Sequence, residues 1–263
     1  MKIIVCVKQV PDSDNVRIDS KTGNLMREGV PGILNHEDAN ALEEALKIKE
    51  KFPKTQITVL SMGPMQVKNT LQECLAMGAD EAVLVSDKKL IGADTFVTSD
   101  VLVSAIRKLG DFDIIFTGKQ SYDGDTGQVG PQIAEKMGIP QITYAAEIEV
   151  LKTGVIKVKR LLNNGYEFLE TKTPCLITAT NDLNEPRYMT VPGIWNACEK
   201  DVTVFNANDV GVNGSETGLD VSPTSVLMTF APLAKGKGIN VSGDTAADVA
   251  SNLVAMLKEN HLV

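Results

Sequence analysis

Four short apolar runs rich in β-branched residues punctuate the first half of the chain: Ile3 to Val7, Gln56 to Ser61, Ala82 to Val85 and Asp113 to Phe116. Continuous apolar runs without polar alternation suit strands covered on both faces. Helical segments are expected between them. The first opens at Asn35-His36-Glu37-Asp38 and runs to Glu50, with Ala41, Leu42, Ala45, Leu46 and Ile48 as its apolar stripe. A second runs from Met65 to Met77 and stops at Gly78, a third is capped by Asp94-Thr95 and reaches Leu109, and a fourth runs from near Gln128 to Met137. Strands separated by helices of about ten to fifteen residues predict a parallel sheet with helices on both faces. Residues 13–34 interrupt the pattern with turn chemistry (Thr22-Gly23-Asn24, Val30-Pro31-Gly32) and predict a short hairpin or extended loop.

After Pro140 the pattern changes. Thr143 to Val150, Val155 to Leu162 and Tyr166 to Thr171 predict an antiparallel meander, with turns at Lys152-Thr153-Gly154 and Asn163-Asn164-Gly165. Cys175 to Ala179 reads as another buried strand, and Val191 to Trp195 as a short helical stretch. Residues 206–243 are rich in Gly, Ser, Asn, Thr and Pro and read as an irregular arm. Ala246 to Glu259 is a last amphipathic helix, capped by Asp244 or Thr245. The expected fold is thus α/β: a doubly wound, mostly parallel sheet with an antiparallel meander and an extended C-terminal arm ending in a helix. The expected division is an α/β domain at 1–205 and an arm at 206–263. A terminal helix on such an arm is expected to dock on another chain.

Composition narrows the function. A net charge of −8 argues against a broad nucleic-acid or acidic-membrane surface. No apolar run approaches the roughly 20 residues that span a bilayer, and the opening apolar run ends at Lys8, so no signal peptide is expected. Cys6, Cys74, Cys175 and Cys198 are scattered, with no CxxC pair, and three of them sit in apolar surroundings, which predicts buried thiols in a reducing compartment. The expectation is a soluble, cytoplasmic protein. The only histidines, His36 and His261, form no Ser-His-Asp, HExxH or Cys-His arrangement, so neither a metal site nor a catalytic residue is expected. GxGxxG and the P-loop motif are absent.

What remains is a ligand site at the carboxyl ends of the strands, where doubly wound sheets bind at the reversal of strand order. The loops there are Cys6-Val7-Lys8, Ser61-Met62-Gly63, Ser86-Asp87 and Gly118-Lys119-Gln120. The last leads into Asp123-Gly124-Asp125-Thr126-Gly127, small and polar residues that open the following helix. Glycines and the unpaired N–H groups of a first helical turn make an anion site; a surface loop capped by Asp125 or Thr126 is the alternative. Asn35 and Asp38 are either helix caps or nucleotide contacts, Met62 is core or contact, and Thr95 and Thr98 are cap and helix face or a polar pair facing the cleft. Lys119 and Gln120 are solvated or functional. The residues together suggest an adenine-nucleotide-binding α/β domain whose chemistry comes from a cofactor.

Several stretches resemble the beta subunit of electron-transfer flavoprotein. They are Val5-Cys6-Val7-Lys8-Gln9-Val10, Asn40 to Leu46, Ala76-Met77-Gly78-Ala79-Asp80, Gly118-Lys119-Gln120 with Asp123 to Gly130, and Leu183-Asn184-Glu185-Pro186-Arg187-Tyr188. The resemblance covers nearly the whole chain and implies an obligate heterodimer with an alpha subunit. Ordinary members hold AMP in this subunit; electron-bifurcating members hold a second FAD there. Val10-Pro11-Asp12, Arg27 to Asn35, and Gly92-Ala93-Asp94-Thr95 with Thr98-Ser99 look like the bifurcating group, whereas His36 stands where many relatives carry proline. The resemblance implies that the FAD accepts a hydride from NADH. One electron then goes to ferredoxin or flavodoxin, and the other passes through the alpha-subunit FAD to an acyl-CoA or related dehydrogenase. Cys6, Val7 and Lys8 with Asn35, Asp38 and Met62 would enclose adenine and ribose, and Gly63 joins the cofactor-binding set. Gly124, Thr126, Gly127, Gln128, Val129 and Gly130, with Asp123 beside them, would hold the pyrophosphate, and Thr95 and Thr98 would lie toward the ribityl chain. Asn184, Glu185, Pro186, Arg187, Tyr188 and Val191 would form the recognition loop for partner dehydrogenases, with Val191 its apolar anchor. The alternatives are an ordinary carrier with structural AMP and a stand-alone adenine-nucleotide-sensing module.

Overall fold

The computed structural model describes residues 1–12, 17–18, 25–26, 31–151, 154–212, 218, 221–225, 227 and 236–263. The turn residues Thr22-Gly23-Asn24, the first part (27–30) of the Arg27–Asn35 stretch and Lys152-Thr153 lie outside the described residues, as does part of the 206–243 arm. Two compact units are present, Met1–Met228 and Thr229–Val263.

In the first unit, β1 (Lys2–Cys6), β6 (Gln56–Met62), β7 (Glu81–Val85) and β8 (Ile114–Gly118) occupy the four apolar runs. Between β1 and β6 the chain forms β2 (Gln9–Pro11), β3 (Arg17–Ile18), β4 (Leu25–Met26) and β5 (Gly32–Leu34), then helix α1 (His36–Lys51). The small strands pair antiparallel, β2 with β5 and β3 with β4. Helices α2 (Val67–Met77), α3 (Thr95–Leu109) and α4 (Val129–Met137) follow β6, β7 and β8. Helix α2 begins two residues later than the sequence suggested, after turns at Pro64 and Met65. Asp94 caps α3 by accepting from the Val97 N–H. Beyond α4 come β9 (Gln141–Val150), β10 (Val155–Leu162), β11 (Gly165–Lys172), β12 (Cys175–Ala179), α5 (Val191–Cys198) and β13 (Val202–Phe205).

The described residues form one nine-stranded sheet in the order β11-β10-β9-β12-β8-β1-β6-β7-β13. All neighbours from β9 to β13 pair parallel, whereas β9–β10 and β10–β11 are antiparallel, as the meander requires. Edge strand β13, four residues beside β7 of which none is buried, has no counterpart in the sequence expectation. Alternate residues of the central strands enter two cores. Ile3, Val5, Ile57, Val59, Ile114 and Phe116 pack with α1 and α2 on one face, whereas Ile4, Leu60, Val83 and Ile115 pack with α3 and α4 on the other. Double coverage explains the nearly continuous apolar character of β1, β7 and β8. Cys6, Cys74 and Cys175 are buried free thiols and Cys198 is exposed.

The second unit contains α6 (Ala246–Glu259), none of whose residues is buried. It starts with a capping box in which Thr245 and Asp248 satisfy one another's main-chain N–H groups. No helix among the described residues is long and apolar enough to cross a membrane.

Candidate functional site

From β1 the chain moves outward through β6 to β7, then returns to β8 on the other side of β1. The order therefore reverses between β1 and β8, and the loops leaving them, 7–8 and 119–128, form the rim of the switch point. Gly118 ends β8 against the first turn of α1. A Cβ placed on it would meet Asp38 Oδ1 at 2.5 Å and the main chain of Asp38 and Glu37 at 2.9 Å.

Three side chains at the start of α1 hold the rim. Asp38 accepts from the main-chain N–H groups of Lys8 and Gly118, each at 2.8 Å, and so ties β1 to β8. Glu37 accepts from the Gln120 N–H at 2.8 Å, with the Lys119 ammonium 3.7 Å from its other oxygen. Asn35 donates to the Gln120 carbonyl at 2.9 Å and accepts from the Tyr122 N–H at 3.0 Å. Burial pushes Asp38 up to about 7, against the lowering effect of the Lys8 and Gly118 N–H groups and Asn35, with Glu37 adding to the rise. Burial, and then Asp38, raises the Cys6 thiol to about 12, so at neutral pH it stays protonated and unreactive.

The loop then reaches Asp123–Gly130, the head of α4. Lys8 extends over it, donating to Asp123 Oδ1 at 2.6 Å and Ser121 Oγ at 3.2 Å. Burial alone would raise Asp123, but Lys8 and the Ser121 hydroxyl more than offset it, and the carboxyl sits below its ordinary value. Asp125 accepts from the Gln120 side chain at 3.0 Å. Both carboxylates are thus engaged with donors. The N–H groups of Gly124 and Asp125 are spent on the Ser121 carbonyl, at 3.3 and 2.8 Å. By contrast, the N–H groups of Thr126, Gly127, Gln128, Val129 and Gly130 donate to no described residue. Asp125 and Gly127 have left-handed backbones, with φ of 47° and 61°, which turn the segment into the head of α4. The described residues therefore offer an array of main-chain donors at a helix N-terminus, suited to a phosphate.

From α3, Thr95 donates to Gln128 Oε1 at 2.8 Å. Thr98 is half-buried on α3, and its N–H closes the first turn on Asp94. Met62 ends β6, and the Gly63 N–H is taken by Val85 at 3.0 Å. The structure thus brings Cys6, Val7, Lys8, Asn35, Asp38 and Asp123 to Gly130 together on one rim. Asn35 and Asp38 spend their polar atoms on holding that rim. Glu37 escaped the sequence reading because an acid in a first helical turn is ordinary; only its partner, Gln120, distinguishes it.

The 184–191 segment lies elsewhere, on the flank of α1. Arg187 makes a two-pronged pair with Glu43, at 2.7 and 2.8 Å, and reaches Glu50 at 2.8 Å. Glu43, and then Glu50, holds the guanidinium above its ordinary value. Asn184 donates to Glu44 at 3.0 Å and to the Asn40 carbonyl at 3.1 Å, and Asn40 donates back at 2.6 Å. Asn184 and Arg187 therefore mount the segment. Beyond them Tyr188 is 95% exposed, Val191 81% and Trp195 69%. Thr190 caps α5 by accepting from the Gly193 N–H, and Gly193 lies so close to the Ala76 carbonyl of α2 that a side chain would collide with it. A cleft of about 650 Å³ opens between this mount and the 119–125 loop, lined in part by Asn35, Glu37, Lys119, Gln120 and Asn184. No group of acidic, histidine or cysteine residues among the described residues could hold a metal ion.

A model of the electron transfer flavoprotein domain matches residues 22–210. Subunit CarD of the caffeyl-CoA reductase–Etf complex of Acetobacterium woodii is 49% identical over 263 residues, covering all of both chains. The electron transfer flavoprotein subunit beta of Clostridium acetobutylicum is 48% identical, again over the full length of both. The acryloyl-CoA reductase electron transfer subunit gamma of Anaerotignum propionicum is 42% identical over 271 aligned positions, also covering both chains. The chain belongs to the electron transfer flavoprotein family, among its beta subunits.

Proposed function

We propose that this chain is the beta subunit of a cytoplasmic electron-bifurcating flavoprotein: it holds an FAD, takes electrons from NADH and serves ferredoxin or flavodoxin together with an acyl-CoA-type dehydrogenase. The observation that carries the reading is the donor array of Thr126 to Gly130 at the reversal of strand order. A dinucleotide fits it: the donors are open, and the two carboxylates nearest them are already engaged, Asp123 with Lys8 and Asp125 with Gln120. When bound, the flavin supplies the exchange between a two-electron donor and one-electron acceptors.

This chain's own residues bind and orient. Main-chain N–H groups from Thr126 to Gly130 hold the pyrophosphate, each helix-terminus contact contributing ~0.3–1 kcal/mol. Cys6, Val7, Lys8, Met62 and Gly63 line the adenosine end, and Thr95 and Thr98 face the ribityl chain. Asn35 and Asp38 hold the rim that the adenosine rests against. Names of the relatives, with their caffeyl-CoA and acryloyl-CoA reductases, support an acyl-CoA-type partner. The exposed Tyr188, Val191 and Trp195 on a rigid mount support the partner-recognition role of the Asn184–Val191 segment. An arm beginning near residue 206, ending in α6 with no buried residue, supports docking on an alpha subunit.

Flavin stoichiometry tests the reading. Two FAD per purified heterodimer, one of them reduced by NADH, is the expected result. One FAD with bound AMP overturns it in favour of an ordinary carrier, and a monodisperse, folded chain without an alpha partner favours a stand-alone nucleotide sensor.

A further inference from the structure

Helices α3 and α4 are joined by a chain of hydrogen bonds that runs in one direction. Lys136 Nζ donates to Ser99 Oγ at 2.8 Å, and Ser99 Oγ donates to Gln132 Oε1 at 3.0 Å. Gln132 Nε2 then donates to Thr95 Oγ1 at 3.5 Å, and Thr95 Oγ1 donates to Gln128 Oε1 at 2.8 Å. The source of the chain is immobilised. The three N–H bonds of the Lys136 ammonium are directed at Ser99, at the Phe96 carbonyl (2.6 Å) and at Asp100 (2.8 Å), and the Phe96 ring lies 3.7 Å away. The fully buried Ser99 hydroxyl has two acceptors in reach, the Phe96 carbonyl at 2.7 Å and Gln132 Oε1 at 3.0 Å; Lys136 already donates to that carbonyl, and the relay uses the Ser99–Gln132 bond. At the far end the Gln128 oxygen accepts from Thr95, which fixes the orientation of the amide, and Nε2 donates to no described residue. Aligned hydrogen bonds polarise one another in the same sense.

The geometry points to Lys136, 8 residues into α4's numbering from Gln128 and outside the cleft, as a positioning residue that orients and strengthens the Gln128 amide N–H as a donor to a phosphate oxygen of the bound nucleotide. The role rests on the reading that Thr126 to Gly130 hold a phosphate, and it extends that site to Ser99, Gln132 and Lys136. Asp100 keeps the ammonium from acting on the ligand directly. The chain is specific for the phosphate end: adenosine, which lacks a phosphate, gains nothing from it.

The test is calorimetric titration of the purified heterodimer, stripped of nucleotide, with AMP and with adenosine. Lys136→Met and Ser99→Ala are expected to weaken AMP about three- to tenfold, the range of one hydrogen bond, and to leave adenosine unchanged. Lys136→Arg is expected to restore most of the AMP affinity. In a Gln128→Ala background, Lys136→Met should have no further effect. Equal losses for AMP and adenosine, no loss for AMP, or additive effects of Gln128→Ala and Lys136→Met each overturn the positioning role. Failure of the phosphate reading shows separately and first, as a wild-type heterodimer that binds AMP no better than adenosine. Ser99→Ala, which removes one buried oxygen, keeps the test decisive should Lys136→Met fold poorly.

Discussion

Asp38 Oδ1 accepts the main-chain N–H of Gly118 at 2.8 Å, and no larger residue fits at position 118, because a Cβ would lie 2.5 Å from that same oxygen. The end of the fourth sheet run and the start of the first helix thus meet at a distance only glycine allows. Asp38's second oxygen binds the Lys8 N–H, so one carboxylate ties together both strands that bound the switch point.

Gly118→Ala should therefore destabilise the protein. Two of the three close approaches are to main chain, which cannot rotate away, and overpacking of this kind costs about 1–3 kcal/mol. The expected result in thermal unfolding is a midpoint lowered by several degrees, with faster loss of bound nucleotide. An unchanged midpoint would show that α1 gives way freely.

Asp38 also makes stability depend on pH with an unusual sign. Its folded value, about 7, lies above the ordinary carboxyl value of about 3.9. Between these values the folded state binds more protons than the unfolded one, so its contribution to stability falls as pH rises from about 4 to 7 and then levels off. The total is roughly 3–5 kcal/mol at about 1.4 kcal/mol per unit. Asp38→Asn, which cannot ionise but turns an amide N–H toward one of the two donors, should be less stable than wild type near pH 5. That deficit should narrow by pH 8. Parallel stability curves for the two proteins would rule this out.

Arg187→Ala removes the partner of a buried carboxylate. Glu43 is 7% exposed at its side chain and Arg187 34%, so the loss is discounted from that of a fully buried pair to about 1–3 kcal/mol. If the segment that bears Tyr188 and Val191 docks a partner dehydrogenase, that partner should bind more weakly while AMP affinity is unaltered. Chemical denaturation and two titrations distinguish the effects, and a loss of AMP affinity equal to that of the partner would count against a local mount.

Val191→Asp and Trp195→Ala, unlike Arg187→Ala, should leave stability almost unchanged. Both side chains are largely exposed, so the unfolding midpoint should hardly move. If this surface docks the dehydrogenase, each change should weaken that complex by tenfold or more, the scale of an interface anchor. Retained affinity in both variants would place the docking surface elsewhere.

Elements with local causes were legible in the chain. The central strands announce themselves because two-sided coverage demands uninterrupted apolar residues, and Ile114, Ile115 and Phe116 are indeed fully buried. Caps are equally local: Asp94 acts on Val97 and Thr245 on Asp248, three residues away in each case. Strand β13 was not legible, since Val202 to Phe205 is short, buries none of its residues and becomes a strand by adding to the open edge of β7.

The sequence by itself determined the alternation of strands and helices, the loop that opens α4 and the family to which the chain belongs, all of which depend on neighbours in the chain or on runs of residue type. Only the tertiary structure decided what the polar residues do. Glu37 finds Gln120 across 83 positions, Arg187 finds Glu43 across 144 and Thr95 finds Gln128 across 33. A hydrogen bond is directional and short-ranged, so which donor meets which acceptor depends on how helices pack on the sheet, and no local pattern of residues carries that information.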